Sequence, residues 1–98
     1  MDIKSKIKAF NIRVYGLAVN PQDEILLTDE IRFGKKMTKF PGGGLKFGES
    51  TKDCLEREFY EELNQKIEII SHFYTTDIFQ PTYLLPEVQQ LISIYYLV

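Results

Sequence analysis

The sequence reads Gly-Gly-Leu-Lys-Phe-Gly-Glu at positions 43–49 and Arg-Glu-Phe-Tyr-Glu-Glu at positions 57–62. The first run predicts a turn, because glycine adopts backbone conformations that other residues avoid and lets a phosphate or metal ion approach the main chain. The second run predicts a helix whose like charges, three or four residues apart, repel one another. A bound divalent cation would offset that repulsion. The two runs therefore indicate a metal site and an enzyme.

Three carboxylates fall on one face of the predicted helix. Glu58, Glu61 and Glu62 stand at positions i, i+3 and i+4, which lie within about 100° of arc. Carboxylate oxygens are the ligands that Mg²⁺ and Mn²⁺ prefer. Arg57 is next to Glu58 and four residues before Glu61, so it can orient both by forked hydrogen bonds. The alternative is an acidic helix face that is simply solvated.

The bounds of this helix are predicted at about Thr51 and Leu63. Ser50 can cap the N-terminus, and Asp53 completes a capping box with favourable charge for that end. Apolar residues at a spacing of four predict the stripe that packs against a sheet: Leu55, Phe59 and Leu63.

The spacing of these residues resembles the signature of the Nudix hydrolases. Gly43 is followed after five residues by Glu49, and after seven more by Arg57-Glu58-Phe59-Tyr60-Glu61-Glu62. Every charged position of the signature is filled. Two late positions depart from it, with Asn64 where glycine is expected and Gln65 where a hydrophobic residue is expected. Asn64 is a mild change, because asparagine also adopts the left-handed conformation that ends helices.

The resemblance implies an α/β (α+β) fold, a Nudix-like mixed β-sheet sandwich with the signature helix packed on it. It implies a hydrolase that cleaves a pyrophosphate bond in a nucleoside diphosphate linked to another group, with Mg²⁺ or Mn²⁺ as cofactor. The expected metal ligands are Glu58, Glu61, Glu62 and the Gly43 carbonyl. Two alternatives remain open, a regulatory domain that binds a nucleotide sugar without turnover and an inactive fragment of the enzyme.

The resemblance also implies catalytic roles. Glu58 is expected to act as the base or to position it, Arg57 to orient Glu58, and Glu49 to pair with Arg57 and hold the loop. In many relatives another acidic residue on a late loop serves as base or metal ligand. Glu87 could stand in for it here, or be an ordinary loop carboxylate. His72 is a weaker candidate for the base.

Substrate contacts are expected outside the signature. A basic cluster precedes the glycine turn, and within it Lys39 or Arg32 is the candidate for binding substrate phosphates, although a solvated loop is the alternative. Phe79-Gln80 and Tyr83 lie in an irregular stretch, and loops on a scaffold often carry specificity. These aromatic residues are candidates for stacking on a base or sugar, although most aromatic residues of so small a protein must lie in its core.

The remaining chain predicts strands at 9–19, 24–28, 66–75 and 89–98, with a turn at 20–23, a polar loop at 29–38 and an irregular stretch at 77–86. We expect a single Nudix-like domain over 1–98. The last strand is apolar to its final residue, so the sequence looks C-terminally truncated, lacking later strands and a second helix. Exposed sheet edges would then favour a homodimer.

Composition limits the other possibilities. The 98 residues carry a net charge of −2, which gives no basic field to attract nucleic acid. No signal-peptide pattern or bilayer-length apolar run is present. The expectation is a cytoplasmic protein with a small nucleotide-type substrate and no nucleic-acid or membrane partner. The lone cysteine, Cys54, is expected to be a small core residue.

Overall fold

The structure, a computed structural model, describes residues 3–32, 34–82 and 87–98. A short 3-10 helix, Ile3–Lys6, precedes the sheet. The described elements then follow in the order β1 (Phe10–Leu17), β2 (Thr28–Arg32), β3 (Lys35–Lys39), β4 (Gly42–Gly44), α1 (Thr51–Leu63), β5 (Ser71–Thr75), β6 (Pro81–Thr82) and β7 (Gln89–Leu97). This mixed α+β architecture confirms the predicted fold class. No helix within the described ranges is long and apolar enough to cross a bilayer.

The main sheet is built around β1 and β7. These two strands run parallel, with Phe10 opposite Gln90 at one end and Leu17 opposite Leu97 at the other. β4 pairs antiparallel with the free side of β1. β5 and β6 pair antiparallel with β7. Because β4 consists of Gly42, Gly43 and Gly44, this pairing fixes the glycine turn beside the central strand.

The core lies between the sheet and one face of α1. Leu55 and Phe59 of the helix are buried against Val14 of β1 and Tyr96 of β7. Gly16 makes room for the Phe59 ring, since a Cβ at this position would lie 2.6 Å from a ring carbon. Each fully buried side chain of this size contributes roughly 1.5–3 kcal/mol of burial free energy. The predicted apolar stripe is therefore confirmed, and it fixes the rotation of α1.

Both ends of α1 match the prediction. The Ser50 side chain accepts a hydrogen bond from the Asp53 amide, and the Asp53 carboxylate accepts one from the Ser50 amide. Asn64 ends the helix in the left-handed conformation, with φ of 52°. Its amide donates to the Tyr60 carbonyl at 2.9 Å. Asparagine thus fills the place at which the family signature has glycine.

The predicted loop at 29–38 is wrong. β2 and β3 form a separate antiparallel hairpin, in which Asp29 lies opposite Thr38. The Thr38 hydroxyl donates to Asp29 at 2.6 Å, and Lys36 lies 3.5 Å from the same carboxylate. Gly34 supplies a positive φ at the turn. The charged composition suggested a loop, whereas cross-strand contacts such as those of Asp29 support a hairpin of charged residues.

Two other strand predictions were too long. The predicted strand at 24–28 is reduced to a single bridge between Val19 and Ile25, because β2 begins only at Thr28. The turn before it is confirmed, with the Asn20 side chain accepting hydrogen bonds from the backbone amides of Gln22 and Glu24. The predicted strand at 66–75 begins at Ser71, and the stretch predicted as irregular contains β6.

Candidate functional site

The glycine turn brings the Glu58 carboxylate against the main chain. A Cβ on Gly43 would lie 2.5 Å from the carboxyl carbon of Glu58, so only glycine leaves this space open. Gly42 has φ of 148°, and a Cβ there would collide with the Val14 carbonyl. The two glycines are therefore needed for different contacts. Gly42 lets the backbone pass close to β1, and Gly43 lets a helix carboxylate approach the backbone.

Arg57 connects the loop to the acidic face of α1. Its Nε donates to Glu49 Oε2 at 3.0 Å and its Nη2 to Glu49 Oε1 at 2.7 Å, which is a forked pair. Nη1 donates to Glu58 at 2.7 Å and to Glu61 at 3.2 Å. Nη2 also reaches the Gly44 carbonyl at 3.0 Å. One guanidinium thus orders three carboxylates and the glycine strand, which a point charge such as lysine could not do.

These contacts keep Glu49 and Arg57 ionised. The Arg57 hydrogen bonds, and then the Lys46 amide, lower the pKa of the Glu49 carboxyl to about 2. Glu49 in turn raises the pKa of Arg57 above its usual value. Glu49 is therefore charged at any physiological pH, and it acts on the rest of the site through Arg57.

Glu62 has a different partner. Its Oε1 lies 3.1 Å from the Lys39 ammonium, which also donates to the Gly42 carbonyl at 2.9 Å. Burial raises the pKa of the Glu62 carboxyl, and the Lys39 hydrogen bond opposes that shift. Lys39 therefore links β3 and the glycine turn to the last turn of α1. The sequence predicted that Lys39 binds substrate phosphates. In the structure its ammonium contacts Glu62 on the acidic face of α1.

Cys54 is a core residue, as predicted. Its side chain is fully buried, and its sulfur lies 3.5 Å from the Gly44 carbonyl oxygen. Burial, and then the nearby Glu49 charge, raise the pKa of the thiol to about 11. Burial and this raised pKa keep the thiol protonated at physiological pH, which disfavours a role as a nucleophile.

The predicted metal ligands fit a hard divalent cation by their chemistry, but they are not gathered into one cluster. Glu58 and Glu61 contact Arg57, whereas Glu62 contacts Lys39. Within residues 3–32, 34–82 and 87–98, no three His, Cys, Asp or Glu side chains are arranged to hold a metal ion. The space that Gly43 leaves does place carboxylate oxygens of Glu58 beside the backbone. The donor set fits Mg²⁺ or Mn²⁺, since all its members are oxygens.

No contact with this acidic face is seen for the other predicted site residues that the structure describes, Phe79, Glu87 and His72. Phe79 is partly exposed, with the Lys4 ammonium 5.3 Å from its ring centre. Tyr83 falls outside the described residues. Glu87 is exposed. His72 lies on β5, and its Nε2 shares a hydrogen bond of 2.8 Å with the Thr75 hydroxyl.

Sequence reasoning missed a cavity on the sheet. It has a volume of about 400 Å³, and its wall includes Lys39 together with Tyr15, Phe40, Gln80 and Tyr95. These residues come from separate strands and loops, so no local motif marks them. The available signal was the alternation of β1 and β7, which sends Tyr15 and Tyr95 to the same face of the sheet.

The fold has known relatives. A family model described as NUDIX domain matches residues 9–98. The chain is similar to a MutT protein from Methanosarcina mazei Go1, with 26% identity and a TM-score of 0.73 over 92% of this chain and 63% of that one. It is also similar to the MutT structure described for Aliivibrio salmonicida and Vibrio cholerae, with 24% identity, a TM-score of 0.70, and coverage of 91% and 64%. A NUDIX hydrolase from Nitrosomonas europaea gives 22% identity, a TM-score of 0.71, and coverage of 93% and 60%.

The last two similarities concern the fold, because identity at that level does not carry function. The chain spans less than two thirds of the length of each of these solved structures. A comparison with curated proteins gives no match. The family model, in contrast, covers nearly all of the sequence, and Arg57 contacts three of the glutamates of its signature, Glu49, Glu58 and Glu61. This chain belongs to the NUDIX domain family.

Proposed function

We propose that this chain hydrolyses a pyrophosphate bond in a nucleoside diphosphate linked to a second group, with Mg²⁺ or Mn²⁺ as cofactor. Membership of the NUDIX family supports a hydrolase of pyrophosphate-containing substrates that uses a divalent cation. The observation that carries the proposal is the Arg57 network, which holds Glu49, Glu58 and Glu61 beside the glycine turn. A solvated acidic face would not require that arrangement.

The proposed base is Glu58. Its carboxylate lies against Gly43 and would accept the proton of the attacking water. Arg57 donates to it at 2.7 Å and so restricts its rotation. Glu49 acts by positioning, because its forked pair with Arg57 fixes the guanidinium. Fixed orientation of a base lowers the entropic part of the barrier.

Glu58, Glu61, Glu62 and the Gly43 carbonyl are the proposed ligands of the cation. When bound, it would supply Lewis-acid stabilisation of negative charge on the phosphate oxygens. Glu61 is half-exposed, so its side chain can leave Arg57 without disturbing the core. If Glu62 turned from Lys39 to the cation, the Lys39 ammonium would be free to bind a substrate phosphate. Phe79 and Tyr83 remain proposed contacts of the base or sugar.

The test is a hydrolysis panel with the wild-type chain. Candidate substrates are a nucleoside triphosphate, an ADP-sugar and a dinucleoside polyphosphate, each with Mg²⁺, with Mn²⁺ and with EDTA. The proposal predicts cleavage of at least one substrate that depends on the cation and stops in EDTA. Products analysed after reaction in ¹⁸O-labelled water would carry the label on phosphate.

The opposite result is a complete lack of turnover across the panel. If a nucleotide sugar still bound, the regulatory alternative would replace the enzyme. Mn²⁺ binding followed by electron paramagnetic resonance gives a readout that does not depend on activity. Absence of both turnover and Mn²⁺ binding would overturn the proposed cofactor as well as the proposed reaction.

A further inference from the structure

Lys39 holds its ammonium among oxygen atoms where β3, β4 and α1 meet. The ammonium donates to the Gly42 carbonyl at 2.9 Å and lies 3.1 Å from Glu62 Oε1. The Lys39 side chain is 13% exposed and that of Glu62 is 25% exposed, so both are largely shielded from water. A lysine ammonium is a compact, strongly hydrated charge, and it leaves water only where protein oxygens replace the hydration shell. These oxygens therefore form a small site for a cation, and the protein fills it with its own lysine.

The same oxygens are of the kind that bind Mg²⁺ and Mn²⁺. Carboxylate and carbonyl oxygens are hard ligands, and Glu62 is one of the proposed ligands of the cation. The sheet fixes the neighbouring backbone, since Gly42 pairs with Tyr15 and the Gly16 amide donates to the Pro41 carbonyl at 2.9 Å. Contact of an ammonium and a divalent cation with one shielded carboxylate is disfavoured, because their positive charges repel at short range. The two cations therefore compete for Glu62.

Lys39 is held less firmly than Arg57, which also contacts the acidic face of α1. Arg57 is fixed by its forked pair with Glu49 and by the Gly44 carbonyl, so it would stay in place when a cation bound. Lys39 has a flexible four-carbon stem, and its ion pair is with Glu62. Lys39 is therefore the residue that cation binding would displace.

A displaced ammonium would have room to move. Lys39 lines the cavity of about 400 Å³ on the sheet, and the ring of Tyr15 lines it as well. The Lys39 ammonium is already 5.9 Å from the centre of that ring, which is within the range of cation–π attraction. The side chain can thus leave Glu62 by rotating about its stem, without a change in β3.

We propose that Lys39 is a tethered cation that fills the divalent-cation site of the free protein and must leave Glu62 before Mg²⁺ or Mn²⁺ can bind. The inference rests on the proposed function, which assigns Glu62 to the cation. Lys39 stabilises the free protein, because it neutralises a carboxylate that is mostly shielded from water. For the same reason it lowers the affinity for the divalent cation, since binding must first break this ion pair.

The first experiment measures the dissociation constant of Mn²⁺ by electron paramagnetic resonance, without nucleotide, for the wild type and Lys39→Met. Methionine keeps an unbranched side chain and removes the charge. The variant should bind Mn²⁺ about tenfold more tightly, which corresponds to one charged hydrogen bond that no longer has to be broken. Equal binding by the two proteins, or weaker binding by the variant, would overturn the inference and leave the proposed cofactor standing. Binding by neither protein would overturn both.

Lys36→Met is the matched control for a change in net charge. Lys36 lies on the same strand, β3, and pairs with Asp29, and its side chain is 72% exposed. This variant should bind Mn²⁺ within about twofold of the wild type, because salt screens exposed charges. A gain in Lys36→Met as large as that in Lys39→Met would show that net charge sets the affinity, and it would overturn the inference.

A double-mutant cycle tests whether Lys39 acts through Glu62. Glu62→Gln removes the shared carboxylate and keeps the side-chain shape. In that background, Lys39→Met should leave the dissociation constant of Mn²⁺ unchanged, because no ion pair remains to be broken. A gain in affinity that persists in Glu62→Gln would contradict the proposed competition.

Urea denaturation gives a readout of folding. In EDTA, Lys39→Met should have a lower midpoint than the wild type, because Glu62 loses its partner. Saturating Mn²⁺ should raise the midpoint of the variant more than that of the wild type, because a ligand that binds more tightly stabilises more. A deficit of the same size with and without Mn²⁺ would assign Lys39 a purely structural role.

Discussion

Arg57 shows how one residue can organise a site through its neighbours. It contacts Glu49 of the loop, and Glu58 and Glu61 of the helix, so one substitution would release all three carboxylates. The contact with Glu61 could be predicted from spacing, because positions four residues apart lie on one face of a helix. The contact with Glu49 was predicted from the resemblance to the Nudix signature. The functions assigned to them stay predictions until activity is measured.

The ion pair between Glu49 and Arg57 should make the stability of the fold fall at acid pH. Folding lowers the pKa of this carboxyl from 4.5 to about 2. The contribution of the Glu49 pair to the free energy of unfolding is therefore complete above pH 4.5 and is lost as the pH falls through 2. Glu49→Gln should have a lower urea midpoint than the wild type at pH 7, and the gap should narrow below pH 4.5. The same change at the exposed Glu56 is the control, and a gap that stays constant with pH would contradict the account.

The buried Cys54 should resist modification. With a pKa near 11 and no exposed surface, the thiol should react with an aromatic disulfide reagent at least about tenfold more slowly in the native state than in urea. The absorbance of the released thiolate measures both rates. Equal rates would show that the thiol is accessible in the folded protein.

At the scale of elements, α1 could be predicted and the β2–β3 hairpin could not. The helix carries its information locally, in the Ser50 cap, the stripe through Phe59 and the Asn64 terminus. The hairpin depends on cross-strand pairs such as Asp29 with Thr38. These residues are nine positions apart, and a run of charged residues does not indicate which of them pair. The cavity was missed for a similar reason, since its wall joins residues that are far apart in sequence.

Phe59 should be the main anchor of α1. Its ring is buried beside Gly16, so Phe59→Ala should cost about 3–5 kcal/mol in the free energy of unfolding. Tyr60→Ala is the matched control on the same helix, because Tyr60 is exposed and should change stability by less than about 1 kcal/mol. Urea denaturation measures both. Similar losses in the two variants would show that α1 does not pack as described.

For the whole molecule, the homodimer stays a prediction. In the described part of the chain, β5 pairs with β7 and with no second strand, and apolar side chains nearby, Ile70 and Phe73, are exposed. Association would cover such an edge. Sedimentation equilibrium should give twice the chain mass of 11.5 kDa. The mass of a single chain at every concentration would exclude the dimer.

The site also joins distant parts of the molecule. The glycine turn, β3 and α1 meet through Arg57 and Lys39, and the cavity reaches from Lys39 across β1 and β7. If this assembly hydrolyses pyrophosphate bonds, its activity must depend on the carboxylates that face the turn. Carboxylates elsewhere on the same helix should not matter.

The most direct measurement compares hydrolysis rates of Glu61→Gln and Glu56→Gln with Mg²⁺. Both residues are exposed on α1, and both changes remove one charge and keep the side-chain shape, but of the two only Glu61 contacts Arg57. Equal urea midpoints would establish that both variants are folded. The account predicts a loss of about 100-fold or more for Glu61→Gln and little change for Glu56→Gln. Equal rates in the two variants would contradict it.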